Sequence, residues 1–201
     1  TFARQETKYG VISLSGAQHK TVNISDSVFE ENEGVAVYAE YSTVSIGGCS
    51  FPYSTGDSSI DSEGSALTAL YSDVNVTDSQ FNGSSNTNDA AVLYLDSSDL
   101  ALRGCAFADL ATRAVYSSAG GRTSLRGCAF RRVAGAPAVA LSALGARGAD
   151  IVDCRFHDGT HTTATGGDGN GGLLSVTGDG SSGGVLRLEG NEFAGGYAEN
   201  E

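Results

Sequence analysis

The sequence holds no tryptophan, no methionine and only two prolines in 201 residues, and its 12 lysines and arginines are outnumbered by 24 aspartates and glutamates. Each shortage excludes something. A formal net charge of −12 leaves no basic stripe that could bind a phosphate backbone by releasing counterions, so nucleic acid is not an expected partner. No apolar run approaches the roughly 20 residues that carry a helix across a bilayer, so no membrane span is expected. No window sustains a 3.6-residue hydrophobic period, which argues against helices. Without a Pro-rich linker or a shift in composition, residues 1–201 read as one domain. The sequence opens on Thr1-Phe2-Ala3 with no signal-peptide pattern, as expected of a mature secreted product or of a segment of a larger protein.

What is abundant is glycine, with 28 residues, beside many Ser, Asn and Asp. These residues tolerate tight turns and left-handed backbone, so the chain is expected to turn often between short strands. One phrase recurs, apolar-x-apolar-x-x-small-x-Phe: VNISDSVF (Val22 to Phe29), VSIGGCSF (Val44 to Phe51), VNVTDSQF (Val74 to Phe81), LALRGCAF (Leu100 to Phe107), TSLRGCAF (Thr123 to Phe130), ADIVDCRF (Ala149 to Phe156) and LRLEGNEF (Leu186 to Phe193). Seven of the eight phenylalanines close such a phrase. The intervals between them are 22, 30, 26, 23, 26 and 37 residues, so the strands are constant and a loop absorbs the difference. A second apolar stretch precedes each copy, for example GVAVYAEY (Gly34 to Tyr41) and AAVLYLDS (Ala90 to Ser97). Period-two alternation in both stretches predicts two or three short strands per repeat. The expected fold is therefore all-β, a single-stranded right-handed parallel β-helix of about seven coils, roughly 34 Å long at 4.8 Å per coil. Right-handedness follows from the general preference of parallel crossovers.

These repeats resemble the pectin-lyase-like superfamily of right-handed β-helices, and most closely the non-catalytic repeats of polymorphic outer-membrane proteins and related adhesins. The motif that carries the closer resemblance is Phe29-Glu30-Glu31-Asn32 followed by Gly34-Val35-Ala36-Val37; the later phenylalanines lack the Asn. Enzymes of the superfamily, as the resemblance implies, gather acids, a basic residue and often His on one face. The Asp pairs, His-Gly and Arg-x-Lys phrases of a polygalacturonase-like site do not occur here. Arg103, Arg126 and Arg155 are expected to stack near the cysteines as a solvated face without a matching acidic cluster. No catalytic residue is expected.

In-register coils predict ladders of like residues. Val37, Leu67, Leu93, Val115 and Val139 form one expected inward row, and Ile24, Ile46, Val76, Leu102, Leu125, Ile151 and Leu188 another, with the phenylalanines closing a corner. The four cysteines, Cys49, Cys105, Cys128 and Cys154, share one repeat position and are expected to form a ladder. Cys49 and Cys105 are separated by the coil carrying Ser79, which places them about 9–10 Å apart, beyond the ~7 Å bonding limit. Cys105, Cys128 and Cys154 fall on consecutive coils. Reduced packing cysteines are the favoured reading there, with one disulfide or a metal site as alternatives.

On the outside, Tyr38, Thr68, Tyr94 and Tyr116 are expected to align as an exposed strip suited to sugar rings or a partner surface. The sequons at Asn23, Asn75 and Asn82 are candidate glycosylation sites, and Asn23 and Asn75 take the same outward repeat position. His157-Asp158-Gly159-Thr160-His161 has helical metal spacing, but Gly159 argues for a loop, and no metal site is expected. The Gly-Asp turn at Thr165 to Gly172 leaves calcium as a possible ligand; no other cofactor is expected. The ends carry little that could cap them, which predicts open rungs, flanking domains or head-to-tail self-association. The expected role is thus non-catalytic and extracellular, a glycosylated subunit or segment of a surface fibre. The alternatives are a polysaccharide-acting enzyme and a carbohydrate-binding adhesin module.

Overall fold

The structure is a computed structural model, and it describes residues 1–3, 6–7, 11–16, 19–55, 64–85, 91–118, 121–134, 137–144, 147–162, 172–178 and 184–199. Its strands are short because the apolar stretches are ended by corners, most of them at Gly, Ser, Asp or Tyr. Every pairing between them is parallel, and each strand bonds to its equivalent one repeat away, which is the topology of a right-handed parallel β-helix.

Three sheets run along the axis. The first holds Ile12–Leu14, Val37–Glu40, Gly64–Leu70, Ala91–Asp96, Arg113–Ser118, Val139–Leu144 and Leu174–Gly178. The second holds Lys20–Ser25, Ser42–Gly47, Asp73–Thr77, Asp99–Arg103, Thr123–Arg126, Ala149–Val152 and Leu186–Glu189. The third holds Ser50–Pro52, Gln80–Asn82, Ala106–Leu110, Ala129–Val133, Arg155–His157 and Glu192–Ala194. Phe29–Glu30 continues this third side, paired with Phe2–Ala3 on its far edge.

Alternation decides what faces in. In the second sheet Val44, Val74 and Leu100 form one buried row, and Ile46, Val76, Leu102, Leu125 and Ile151 the next, in direct register. The row Val37, Leu67, Leu93, Val115 and Val139 lies in the first sheet as expected. Burying one apolar rung on the next contributes about 25 cal/mol per Å² removed from water, so stability accrues rung by rung. The phenylalanines stack from Phe29 to Phe193 with ring centroids 4.6–4.9 Å apart and planes within 9°. The backbone of Phe2 is in register with that of Phe29, so the third side begins before the first complete phrase.

Two expectations need correction. Leu188 belongs to its row by register but is 48% exposed, as is Phe193 at 45%, because the last described rung has a neighbour on one side only. For the same reason about five turns, not seven, are fully enclosed: those from Val37 to Phe156 bury all their inward rows.

Many of the described corners are turned by a residue in the left-handed region. Between the first and second sheets these are Tyr41, Tyr71 and Ser97; between the second and third, Asp26, Gly48, Asp78, Gly104, Gly127, Asp153 and Gly190; after the third, Glu31, Tyr53, Gly83, Asp109, Arg132, Asp158 and Gly195. That conformation bends the chain while keeping the corner N–H on the ladder, as in Tyr41 N–H to the Leu70 carbonyl (3.1 Å) and Asp78 N–H to the Arg103 carbonyl (2.9 Å). The same bond recurs along the rod, as in Gly104 N–H to the Arg126 carbonyl (3.0 Å) and Asp153 N–H to the Glu189 carbonyl (2.8 Å), so these bends keep their donors paired.

Phe107→Ala, at the centre of the file, is expected to cost about 3–5 kcal/mol in chemical denaturation, whereas Phe193→Ala should cost about 1 kcal/mol because half of its surface is already wet. Equal losses would contradict one-sided stacking at the last rung. At Gly127 an added Cβ meets nothing within 4 Å, so Gly127→Ala should cost only the left-handed backbone, about 1–2 kcal/mol. At Gly121 the Cβ would fall 1.8 Å from the Ser98 carbonyl oxygen, and Gly121→Ala should lower the melting temperature by more.

Candidate functional site

The outer face of the second sheet holds a shallow cleft of about 320 Å³, lined by Thr43, Asp73, Asn75, Asp99, Arg122 and Ser124 over Ala101 and the strand backbone at Val74 and Leu100, whose side chains face inward. Strand alternation builds it. Thr43, Asp73 and Asp99 stand in register on successive rungs, and the middle outward row runs Ser45, Asn75, Ala101, Ser124 and Asp150. Ala101 is the smallest side chain of that row, and the hollow forms around it. At the far end Asp99 is held by Arg147 (2.6 Å) and by the Arg122 backbone N–H (2.9 Å). Arg122 also pairs with Asp150 at 2.9 Å, which holds the Asp150 carboxyl below its ordinary range.

Two residues before Thr43 and Asp73 stand Tyr41 and Tyr71, at the rim of this face. They are 46% and 51% exposed, with rings stacked at 5.1 Å and 8°. Both occupy the left-handed corner, where bulky side chains are uncommon. Sequence reasoning missed this pair, although the recurrence Tyr41-Ser42, Tyr71-Ser72, Ser97-Ser98 carries its signal. The serines behind it are buried and form a ladder: Ser42 N–H donates to Ser72 Oγ at 3.1 Å, and Ser72 N–H to Ser98 Oγ at 2.9 Å.

The expected tyrosine strip takes a different form. Tyr38, Thr68, Tyr94 and Tyr116 do align on successive rungs of the first sheet, and Tyr94 stacks on Tyr116 at 5.3 Å. Thr68, however, is buried, because the strand bulges between Gly64 and Leu67 and the Gly64 N–H donates to Thr68 Oγ1 at 2.8 Å. The tyrosines are half-buried, and Arg113 lies over the Tyr116 ring at 5.2 Å. The strip is interrupted rather than continuous.

Cys49, Cys105, Cys128 and Cys154 are all buried and free, in the corner before the third sheet, with Ser79 between Cys49 and Cys105. The row behaves as a hydroxyl ladder built in sulfur. Ser79 Oγ–H donates to the Thr77 carbonyl (2.8 Å), while the thiols of Cys105 and Cys128 reach the equivalent Arg103 and Arg126 carbonyls at 3.5 Å. Asn191 ends the row, accepting the Cys154 N–H at 2.8 Å and donating to the Ile151 carbonyl at 2.7 Å. Hydrogen bonds to Cys105 and Cys154 on its two sides push the Cys128 thiol far above its usual range, and Cys128 in turn lowers Cys105 and Cys154. The four thiols are free in this structure.

Arg103 and Arg126 stack in register, but the next residue in their row is Val152. Arg155 sits in the third sheet beside Ala129 and Glu192, so the expected three-arginine stack is not formed. His157 approaches Glu192 at 3.3 Å and is divided from His161 by the left-handed corner at Asp158, which removes the helical spacing. Among the described residues no group of three or more His, Cys, Asp or Glu side chains could hold a metal ion. The Gly-Asp turn lies outside the described residues apart from Gly172. Asn23 and Asn75 point outward from the second sheet in one row with Ser45 between them, and Asn82 is half-buried in the third.

The model of a protein family described as right handed beta helix region matches residues 10–193. No curated protein matches the chain.

Titration with a thiol reagent is expected to find no reactive cysteine in the folded protein and four after denaturation. Cys128→Ser, which keeps a donor for the Arg126 carbonyl as Ser79 does for Thr77, should change stability by less than about 1 kcal/mol. A thiol count of two after denaturation would contradict the reduced ladder.

Proposed function

The chain belongs to the right-handed β-helix family, and on that premise we propose that it is a non-catalytic extracellular structural protein, a glycosylated subunit or segment of a surface fibre. The observation that carries this reading is the last described rung. Val185, Leu188 and Phe193 are 71%, 48% and 45% exposed, whereas Ile151 and Phe156, the equivalents of the latter two one rung earlier, are fully buried. Such an apolar rung is a surface on which a further parallel rung packs, from the same chain or from a second copy, and stacking of copies that does not close on itself makes a filament. The sequons at Asn23, Asn75 and Asn82 face away from the core, which leaves the axis free for such stacking while glycans stand at the sides.

A second reading, a carbohydrate-binding adhesin module, is favoured by the Tyr94–Tyr116 stack, since paired aromatic faces suit sugar rings. It is tested on a glycan array, where Tyr94→Ala should abolish any binding that this strip supplies. An enzyme acting on polysaccharides is a third reading; it requires turnover on a panel of polyuronates, and none is expected.

Electron microscopy of the native material tests the structural reading directly. Rods or fibres much longer than the roughly 34 Å that seven rungs span are expected, and Phe193→Arg should shorten them. Monodisperse short rods, unchanged with concentration and unaffected by Phe193→Arg, would contradict it.

A further inference from the structure

Charge is distributed unevenly along the rod. Residues 21–102 contain 13 aspartates and glutamates and not one lysine or arginine, whereas residues 103–201 contain nine arginines and ten acids. The same repeat therefore presents two electrostatic situations. In the later rungs several outward acids and one ring are partnered from within the chain: Asp150 by Arg122 at 2.9 Å, Asp109 by Arg132, and the Tyr116 ring by Arg113. Arg147 reaches back two rungs to hold Asp99, the last acid of the earlier stretch. One rung before it, Asp73 has no cation beside it among the described residues, and the exposed faces of Tyr41 and Tyr71 have none either. Beside them opens the cleft centred on the small side chain of Ala101.

We propose that this cleft, with Asp73 at its edge and the Tyr41–Tyr71 stack at its rim, is a docking surface for an arginine- or lysine-rich segment of a partner protein. The chain itself displays the chemistry of recognition: Arg147 on Asp99 and Arg113 on Tyr116 are the contacts that the partner's cations supply on Asp73 and Tyr71. Carboxylate pairing fixes a guanidinium or ammonium group, and the aromatic face holds it through its quadrupole. Asp99 is already held by Arg147, so Asp73 seats one cation and the exposed Tyr71 ring a second, which matches two side-chain cations of one extended segment rather than one compact ion. A second copy of the chain is a poor occupant by charge, since its arginine-bearing half carries one more acid than it has arginines. Asn75 lines the same cleft, so a glycan there excludes the segment, and the surface belongs to chains that are unmodified at Asn75. The inference does not depend on how the ends of the rod associate.

The test is fluorescence anisotropy of labelled hexaarginine and hexalysine peptides, with hexaglutamate as control, on the chain produced without glycans at 0.15 M salt. Saturable binding of the basic peptides is expected, weakened at least tenfold by Asp73→Asn and by Tyr71→Ala and retained within about twofold in Tyr71→Phe. Glu192→Gln, which removes a carboxylate from the far end of the rod, should leave binding unchanged. Melting curves of the four variants confirm that each is folded. No binding, or an equal loss in Glu192→Gln and Asp73→Asn, would overturn the proposal by reducing the effect to bulk charge. Self-association of the chain that Asp73→Asn abolishes would overturn it by assigning the face to a second copy.

Discussion

Like must stand on like in this molecule, because every strand bonds to its own equivalent one turn away. A parallel ladder offers no freedom of register once one inward row is apolar: a slip of one residue turns the whole row to solvent. The phenylalanine file makes the constraint visible. Six stacked contacts at nearly constant spacing require that each turn advance the chain by one strand spacing and bring the same corner back to the same place. Loop length is then free to vary, which is why intervals of 22 and 37 residues coexist with an unbroken core.

Closing a turn of that kind needs sharp corners without stranded backbone groups. A left-handed residue at many of the bends provides them, and the buried row beside it completes the bonding. Serine and cysteine serve alike in that row because each presents a short donor to the carbonyl two residues earlier, as Ser79 does to Thr77 and Cys154 to Val152, whereas Asn191 donates to the Ile151 carbonyl of the preceding rung. The cysteines thus need no redox or metal role to account for their spacing. Glycine and aspartate share the outer corner for a related reason: Asp78 overhangs the space above Gly104, leaving too little room there for a Cβ.

Most of the architecture was legible in the sequence, because the repeat phrase encodes the register itself. The inward rows, the cysteine ladder and the alignment of Tyr38 with Thr68, Tyr94 and Tyr116 follow from it. Exposure was less legible. Thr68 is buried by a bulge at Gly64 that alternation cannot reveal, and Leu188 is wet because burial depends on having a rung above as well as below. Arg155 stands one residue before its phenylalanine, whereas Arg103 and Arg126 stand four before theirs, so it aligns with Ala129 and Val152 takes the arginine position. The Tyr41–Tyr71 pair was overlooked because corner residues follow neither strand's period. At the candidate cleft Asn75 was identified, as a sequon, but Asp73, Asp99 and Arg122 come together only when three rungs are superposed.

The superposition of turns is best tested by nuclear Overhauser contacts among ring protons in a sample labelled only at phenylalanine. The account requires a linear chain of inter-ring contacts in the order Phe29, Phe51, Phe81, Phe107, Phe130, Phe156, Phe193, each ring touching only its two neighbours. A missing link between Phe81 and Phe107, or a direct contact between Phe51 and Phe107, would contradict it.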